Sequence, residues 1–360
     1  MTFSPGCEII SKKLNTGLTR DSELGVIIEF KKLMPEPLRY NRKFDELTEK
    51  EQELLEVNKK SIADFVEQSS SVSDVNYATR NAHAKTYAVA KGFFQISPSA
   101  PGFLKPFFDK EKYDIVIRLS NAHPKIIKKG KDIPAYGFAV KIINDHGNTI
   151  ANYPLVNFPL FPINSVSTFL KLFTYVNRSF ILAAAAQFLK VIPCFFTFPF
   201  IKNAAKLMVK RNHFMLSFNY HSVGAYRLGD HMAKIKLVPK SVEKHFGKSM
   251  KQRLAVDSYL TEHNFTADVY IQLCYDLKDQ PVNKLNREWR NSPFIKIGTV
   301  SLDKGSLLDP RECSNELLSF NPFESKTIFQ PVGRIQRLRK EAYQVSVQTR
   351  RKINKLLHGV

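Results

Sequence analysis

The side chains with the clearest chemical capacity in this sequence include a histidine and an asparagine that lie far apart along the chain. His83 stands between Ala82 and Ala84, so its imidazole has room around it. A neutral imidazole can take up a proton and return it. Asn157 lies among apolar residues and prolines, where a buried amide must find hydrogen-bond partners. Each residue alone is also typical of a structural role, so the chemistry depends on partners elsewhere.

A tyrosine and two arginines near the C-terminus offer a second kind of chemistry. Residues 333–352 consist of helix formers with no breaker after the first glycine, which predicts a helix. Arg339, Tyr343 and Arg350 would share one face of it. A neighbouring arginine favours the ionised form of a phenol, and a phenolate is one of the axial ligands that hold haem iron. A basic helix is otherwise typical of a solvated surface or a nucleic-acid contact.

A third group lies on a β-branched segment, residues 113–120, that predicts a strand. Alternation places Arg118 and Ser120 on one face together with Val116, and three aliphatic residues on the other face. An arginine and a serine are unusual on a face that is plain core. They indicate that this face meets a polar, anionic ligand.

The elements that must position these residues are mostly long alternating strands. Strands are predicted at residues 87–94, 113–120, 137–143, 215–223, 233–238, 264–277 and 294–300. The three prolines of residues 153–162 argue against a central strand throughout that run. Long strands with one polar face each predict a large antiparallel sheet or barrel.

Two segments depart from this strand pattern. Residues 1–75 are polar and charge-mixed, with an exposed helix over 46–60, and are expected to form an arm that packs on the main body. Residues 165–211 are strongly apolar, but polar residues and prolines interrupt any window long enough for a transmembrane helix. At their end, Lys202, Lys206 and Lys210 form the basic stripe of an amphipathic helix. A packed helical insertion is favoured there, with contact to an anionic membrane as the alternative.

Composition sets the remaining limits. The 360 residues suffice for one large domain or two ordinary ones, and 43% hydrophobic residues is typical of globular proteins. The net charge of +21 attracts anions: nucleic acid, an anionic membrane or an anionic cofactor. The N-terminus lacks the apolar core of a secretory signal. The scattered cysteines favour a reducing compartment, and hence a cytoplasmic location with membrane association left open; they are Cys7, Cys194, Cys274 and Cys313.

Seven short segments in a fixed order resemble the catalase-like haem protein superfamily, and more closely its short single-domain bacterial branch of catalase-related or haem-dependent peroxidases. The matching segments are Arg80-x-x-His83-Ala84-Lys85, residues 116–121, 137–141, 156–161, 226–229 and 320–322, and Arg339-x-x-x-Tyr343 with Arg350. They extend over residues 78–352. Any one of them is a weak signal, whereas seven in order are specific.

The resemblance implies an α+β fold with a catalase-like antiparallel β-barrel core. In this division residues 1–75 are a helical N-terminal arm, and residues 76–330 are the barrel haem domain. Within that domain residues 165–211 are a helical insertion. Residues 331–360 are a C-terminal helix that carries the proximal haem ligand.

The resemblance also implies one haem b and a role for each matching residue. His83 would be the distal acid–base residue and Asn157 its hydrogen-bonding partner above the iron. Tyr343 would be the proximal phenolate ligand of the iron, with Arg339 bonded to its oxygen. The remaining cofactor contacts would be Arg80, Arg118 and Arg350 at the haem propionates, Ser120 near the distal histidine, and Phe161 against the macrocycle.

Some positions depart from the pattern of the superfamily. Thr86 stands where glycine is usual, and Ala82 is smaller than the usual valine, which predicts a roomier distal pocket. Residues 132–137 lack the Asp-Pro-Arg-Gly pattern and hence the acidic channel residue and arginine found there in typical catalases. These departures bear on which peroxide is used more than on whether haem binds.

The leading hypothesis is therefore a haem enzyme that consumes peroxide by catalase-like or peroxidase chemistry. One alternative is a fatty-acid hydroperoxide-metabolising haem enzyme, similar to the allene-oxide-synthase branch. A second is a non-enzymatic basic protein that binds membrane or nucleic acid. The leading hypothesis predicts peroxide as the partner and no nucleic acid. It leaves open peripheral contact with an anionic membrane, the electron donor and the oligomeric state, a homo-oligomer included.

Overall fold

The centre of the fold is an antiparallel sheet. The computed structural model describes residues 36–127, 132–308 and 317–358. Its strands are β1 (Thr86–Ile96), β2 (Lys112–Asn121), β3 (Tyr136–Ile143), β4 (Thr149–Val156), β5 (Tyr220–His221), β6 (Ala225–Leu228), β7 (His231–Lys240), β8 (Phe265–Leu273), β9 (Phe294–Leu302), β10 (Leu307–Leu308) and β11 (Pro331–Val332).

The sheet closes into a barrel because its two ends pair with each other. The hydrogen-bonded order runs β7, β5, β4, β3, β2, β1, β9, β8, and β8 pairs again with β7. Strands β6 and β11 extend from β7, and β10 pairs with β1. All of these pairings are antiparallel, which confirms the predicted antiparallel barrel.

Seven α-helices are described around the barrel. They are α1 (Glu49–Glu67), α2 (Val166–Asn177), α3 (Ile181–Leu189), α4 (Ile192–Phe195), α5 (Phe198–Val209), α6 (Gln252–Glu262) and α7 (Arg334–His358). Helices α2 to α5 form the predicted helical insertion. With the barrel they confirm the predicted α+β class.

Alternation along β2 divides its side chains between the barrel interior and the outer face. Ile115, Ile117 and Leu119 belong to the main hydrophobic cluster inside the barrel, together with Phe138 of β3 and Phe265 of β8. Side chains therefore fill the barrel interior. The alternate residues of β2 point away from it, which places Arg118 and Ser120 on the other side of the sheet.

Helix α7 packs against α1 and is fixed at both ends by side chains from distant parts of the chain. At its N-terminus, the Gly333 N–H donates to Asp45 Oδ1 (2.6 Å) and the Arg334 N–H to Asn283 Oδ1 (2.8 Å). Near its C-terminus, buried Asn354 pairs with both backbone groups of Ala78, at 2.8 and 3.2 Å. This last contact joins α7 to the segment that leads into His83.

Several local predictions were wrong or incomplete. Residues 215–223 form a 3₁₀ turn (Met215–Ser217) and the two-residue β5 instead of a continuous strand. Their apolar side chains are buried although the backbone is irregular. A run of apolar residues in the sequence does not distinguish such a segment from a strand. The predicted exposed helix at 46–60 is α1, which is longer and buries one side, including Leu55 and Ile62.

Other predictions are only partly covered by the structure. The described residues from Leu38 onward form one compact unit, so α1 belongs with the barrel, and the boundaries at residues 75 and 330 stay predictions. Cys194 and Cys274 are free thiols, whereas Cys7 and Cys313 lie outside the described residues.

Candidate active site

The loop before β1 holds His83 in a backbone conformation that few residues adopt. Its φ is +49°, in the left-handed region, where histidine is tolerated better than most residues with a Cβ. Arg118 Nη2 donates to the His83 carbonyl at 2.7 Å, and the Ala84 N–H donates to the His123 carbonyl at 3.1 Å. These bonds maintain a conformation that costs free energy, and such conformations cluster at functional sites.

The ring of His83 lies against β2 and β3. Its Nδ1 is 3.3 Å from Ser120 Oγ, and among the described residues Nε2 has no hydrogen-bond partner. Gly137, which pairs with Ser120 in the sheet, leaves the space that the ring needs. A Cβ at Gly137 would lie 2.6 Å from Ser120 Oγ and 2.9 Å from His83 Nδ1.

The His83 imidazole is neutral over a wide pH range. Burial is the largest cause of a pKa lowered to about 4, and the positive charges of Arg118 and then Arg339 contribute the rest of that shift. The contribution of Arg339 shows that the histidine and α7 are electrostatic neighbours. A neutral imidazole with a free nitrogen can accept a proton from a bound molecule.

The side chain of Asn157 is anchored to the backbone at both ends of its amide. Its Oδ1 accepts from the Tyr136 N–H (2.8 Å), and its Nδ2 donates to the Pro134 carbonyl (3.1 Å). An amide nitrogen carries two hydrogens, so one donor of Asn157 is left for another partner. The structure therefore places Asn157 at the end of β4, with its amide plane fixed by the loop before β3.

On α7, Arg339 and Tyr343 are bonded to each other. Arg339 Nη2 donates to the Tyr343 phenol oxygen at 3.1 Å, and Nη1 donates to Gln336 Oε1 (3.0 Å) and to the Tyr226 phenol oxygen (3.3 Å). Burial opposes the charge of this guanidinium, but the phenol oxygens of Tyr226 and Tyr343 outweigh burial and raise the pKa of Arg339.

Sequence reasoning assigned no role to two members of this cluster, Tyr226 and Gln336, although Tyr226 begins the matching segment 226–229. Gln336 lies one turn before Arg339, so its i,i+3 spacing was an available signal. Space for it depends on Gly224, because a Cβ there would lie 2.5 Å from the Gln336 side chain. Tyr226 lies in β6, and only the fold brings it to α7.

The other predicted cofactor contacts lie in different environments. Arg118 is buried, and its Nε and Nη2 donate to Thr86 Oγ1 at 3.1 and 2.7 Å. Thr86, which stands where glycine was expected, therefore orients this arginine. Arg80 donates to the Leu318 carbonyl at 2.7 Å, and buried Arg350 donates from Nε to the Ser346 carbonyl at 3.2 Å. Phe161 packs against Phe169, with ring centroids 5.9 Å apart, in the cluster between α1, α2 and α7.

Asp132, the acidic residue of the segment 132–137, accepts two hydrogen bonds close to the loop that holds His83. Asp132 accepts from Lys85 Nζ at 2.5 Å and from the Tyr87 hydroxyl at 2.6 Å. This carboxylate is thus bound to side chains of the loop before β1 and of β1. Among the described residues, no group of three or more histidine, cysteine, aspartate or glutamate side chains could hold a metal ion.

Comparison with known proteins identifies the fold. No protein-family model matches the chain, and no curated protein matches its sequence. The solved structures that resemble it include three catalases. A fungal catalase has 17% sequence identity and a TM-score of 0.54, and the match covers 76% of this chain and 59% of that catalase. Catalase A from Saccharomyces cerevisiae has 16% identity and a TM-score of 0.54, with 79% of this chain and 64% of that catalase covered. A bacterial catalase has 14% identity and a TM-score of 0.52, with 76% of this chain and 57% of that catalase covered.

The chain spans about three-fifths of the length of these catalases. The likeness covers most of the described residues, and at this level of identity it establishes the architecture alone. The chain has a catalase-like fold, an antiparallel β-barrel within an α+β protein.

Proposed function

We propose that this protein is a haem-dependent enzyme that consumes peroxide, with His83 as its acid–base residue and Tyr343 as its iron ligand. The observation that carries the proposal is the hydrogen bond from Arg339 to the Tyr343 phenol oxygen, on a helix whose charge also acts on His83. The catalase-like fold supports it, because solved catalases share this architecture.

The residues present fit a haem group. A phenolate is a hard anionic ligand suited to ferric iron, and the Arg339 guanidinium compensates its charge in a partly buried setting. Arg80, Arg118 and Arg350 would bind the propionates, for which the guanidinium fork is well matched. Phe161 would pack on the macrocycle. Bound haem would supply the iron at which the peroxide O–O bond is broken.

His83 would move the proton that O–O cleavage requires. With Nδ1 facing Ser120, its Nε2 is free to take the proton from one peroxide oxygen and return it to the other, which leaves as water or alcohol. The lowered pKa keeps the ring neutral and ready to act as the base. Arg118 and the left-handed backbone of His83 orient the ring.

Asn157 would orient the peroxide. Its amide is held by Tyr136 and Pro134, and the second hydrogen on Nδ2 is free to donate to a peroxide oxygen. An amide does not ionise near neutral pH, so it polarises the substrate without competing for the proton.

The optical spectrum of the purified, haem-loaded protein tests the proposal. We expect a high-spin ferric spectrum of phenolate-ligated haem in the wild type and its loss in Tyr343→Phe. Tyr226→Phe is the matched control, because it removes a phenol oxygen bonded to the same guanidinium and should keep the spectrum. A protein that stays colourless with ample haem, or equal spectra for wild type and Tyr343→Phe, would contradict the proposal.

A second candidate activity is the turnover of fatty-acid hydroperoxides at the same site. The observation that favours it is Ala82, which is exposed next to His83 and carries only a methyl group. Oxygen release from hydrogen peroxide, compared with loss of the conjugated-diene absorbance of a fatty-acid hydroperoxide, separates the two activities. If Ala82 admits the larger substrate, Ala82→Val lowers turnover of the fatty-acid hydroperoxide and leaves that of hydrogen peroxide unchanged.

A further inference from the structure

The helical insertion, residues 165–211, exposes a concentration of apolar side chains. Eleven of the twenty exposed large hydrophobic residues in the described part of the chain lie between Val176 and Val209. Not one residue of α3, α4 or α5 is buried, although most are apolar. Single exposed hydrophobic residues are ordinary, whereas a concentration of this kind marks an interaction surface.

Helix α5 shows how this surface is arranged. An apolar stripe along the helix is exposed and consists of Phe198, Ile201, Met208 and Val209, with fractional exposures of 76%, 47%, 52% and 82%. The next stripe around the helix consists of Lys202, Lys206 and Lys210, all exposed. The partly buried positions, such as Leu207, lie on the side opposite the apolar stripe. Apolar and basic stripes therefore face solvent side by side.

The exposed side chains are presented by a packed framework. Phe158, Phe200, Phe195 and Phe188 form a continuous series of ring contacts, with centroid separations of 5.3, 4.8 and 5.4 Å. The series connects the loop after β4 to α5, α4 and α3. Leu182, Leu189, Phe196 and the apolar stripe of α5 remain on the outside, with Leu182 87% exposed. These exposed residues are the outer face of the insertion.

The charge on this part of the chain has a single sign. No acidic residue occurs between Asp145 and Asp230, whereas the insertion carries lysine or arginine at residues 171, 178, 190, 202, 206, 210 and 211. One carboxylate from elsewhere, Glu288, accepts from Asn203 at 2.5 Å, on the side of α5 away from the apolar stripe. The outer face thus combines exposed apolar groups with uncompensated positive charge.

We propose that the outer face of the insertion binds the surface of an anionic phospholipid bilayer. An apolar stripe beside a lysine stripe is the arrangement of helices that lie in the interfacial plane, where lysines reach lipid phosphates and apolar side chains enter the acyl region. Basic residues near anionic lipid each add to the attraction. Among the described helices, none combines the length and apolar character that crossing a bilayer requires.

Two other occupants fit the face less well. A second copy of the chain in a two-fold dimer would bring the same basic patch against itself, which is electrostatically unfavourable. The chain's own residues 1–35 carry five basic and four acidic side chains, so they offer no net negative charge to complement it. The anionic bilayer supplies both the apolar phase and the opposite charge.

Co-sedimentation with vesicles tests the proposal on the full chain. We expect binding to vesicles of phosphatidylcholine and phosphatidylglycerol in equal parts, little binding to phosphatidylcholine alone, and weaker binding at high salt. Phe198→Trp adds a probe on the apolar stripe, because the native Trp289 is buried. Its emission should shift to the blue with the mixed vesicles and be quenched by lipids brominated on the acyl chains.

Two matched sets of lysine variants test whether vesicle binding depends on this face or only on the net positive charge of the protein. Lys202→Gln/Lys206→Gln/Lys210→Gln should weaken vesicle binding on the order of a hundredfold. The control set, Lys105→Gln/Lys304→Gln/Lys326→Gln, removes the same charge from exposed positions outside the insertion and should bind like the wild type.

The apolar contribution has its own pair of variants. Phe196→Ser/Phe198→Ser should lower vesicle binding, whereas Leu254→Ser/Leu356→Ser, at exposed apolar positions elsewhere, should not. The proposal is overturned by absent binding to mixed vesicles, by equal losses in both lysine sets, or by unquenched Phe198→Trp emission. It is also overturned if light scattering shows a dimer in the wild type and a monomer in Phe196→Ser/Phe198→Ser. None of these measurements depends on haem.

Discussion

At the scale of single residues, the proposed acid–base site depends on a histidine kept neutral in a strained loop. His83 has a lowered pKa because burial and two arginine charges oppose its protonation. Its left-handed φ is maintained by the bond from Arg118 to its carbonyl. Arg118 thus restrains the backbone of His83 and also resists the charging of its ring.

This arrangement predicts how stability depends on pH. The pKa of His83 in the folded protein, about 4, lies below the unfolded value of about 6.5, so above pH 6.5 the ring is neutral in both states. Below that pH the unfolded chain binds the proton first, which favours unfolding. The free energy of unfolding should therefore fall by up to about 3 kcal/mol between pH 6.5 and pH 4 because of this residue.

Chemical denaturation of the wild type and His83→Asn checks this dependence, since asparagine tolerates the left-handed backbone and does not titrate. The other histidines titrate in both proteins and cancel in the comparison. The wild type should lose up to about 3 kcal/mol more than the variant on going from pH 7 to pH 4. Equal losses would show that the ring is freely protonated.

Gly137 should be required for the position of the His83 ring. A Cβ at this residue would overlap Ser120 Oγ and His83 Nδ1, at 2.6 and 2.9 Å. We expect Gly137→Ala to cost about 1–3 kcal/mol of unfolding free energy and to lower peroxide turnover about a hundredfold by displacing the ring. Gly102→Ala is the control, because nothing lies within 4 Å of its added Cβ. Unchanged turnover in Gly137→Ala would contradict the assigned role of the ring.

At the scale of elements, α7 supports the hydrogen-bonded cluster around Arg339. It carries Gln336, Arg339 and Tyr343 on adjacent turns, and Asn354 ties its far end to Ala78. The same helix therefore connects the tyrosine to the segment that precedes His83. Its position depends on polar contacts with remote residues as well as on the apolar packing of Leu338.

The contact of Asn354 should matter for both stability and haem retention. Asn354→Ala would leave the buried N–H and C=O of Ala78 without partners, at a cost of about 2–4 kcal/mol. We expect a lower denaturation midpoint and faster loss of haem. Lys355→Ala, at the exposed next residue, should stay within about 0.5 kcal/mol of the wild type. If both variants unfold at the same midpoint, the contact does not position α7.

At the scale of the whole molecule, a closed barrel holds the sheet residues and a separate helix holds the tyrosine. Strands β2 and β3 supply Arg118, Ser120 and Gly137, whereas α7 supplies Arg339 and Tyr343. A ligand that contacts both parts links them to each other. Such a ligand stabilises the folded state in proportion to the logarithm of its concentration.

Haem should therefore raise the midpoint of thermal unfolding. At a free concentration one hundred times its dissociation constant, it would add about 2.7 kcal/mol to the free energy of unfolding, a shift of several degrees. Tyr343→Phe should lose most of this shift, and Tyr226→Phe should keep it. Scanning calorimetry with and without haem measures the difference. An equal shift in all three proteins would indicate binding that does not use the Tyr343 oxygen.

Much of the fold could be predicted from local pattern. The strands predicted at residues 87–94, 113–120 and 294–300 are present as β1, β2 and β9, and α7 follows from its composition. Irregular segments such as Met215–Ser217 could not be predicted, because a buried apolar run without regular hydrogen bonding has no local signature. The boundaries of the N-terminal arm and of the barrel domain stay predictions.

In the candidate site, too, some features could be predicted from the sequence and others depend on tertiary structure. The types of its residues, the i,i+4 spacing of Arg339 and Tyr343, and the shared strand face of Arg118 and Ser120 are local properties with periods of 3.6 and 2 residues, so the sequence determined them. The direction of each polar atom was decided by tertiary structure. The bond from Arg339 to Tyr226 joins residues 113 positions apart, and that from Arg118 to His83 joins residues 35 apart. These contacts form only when the barrel closes and α7 takes its place in the fold. Neither event corresponds to a periodic pattern of residues in the sequence.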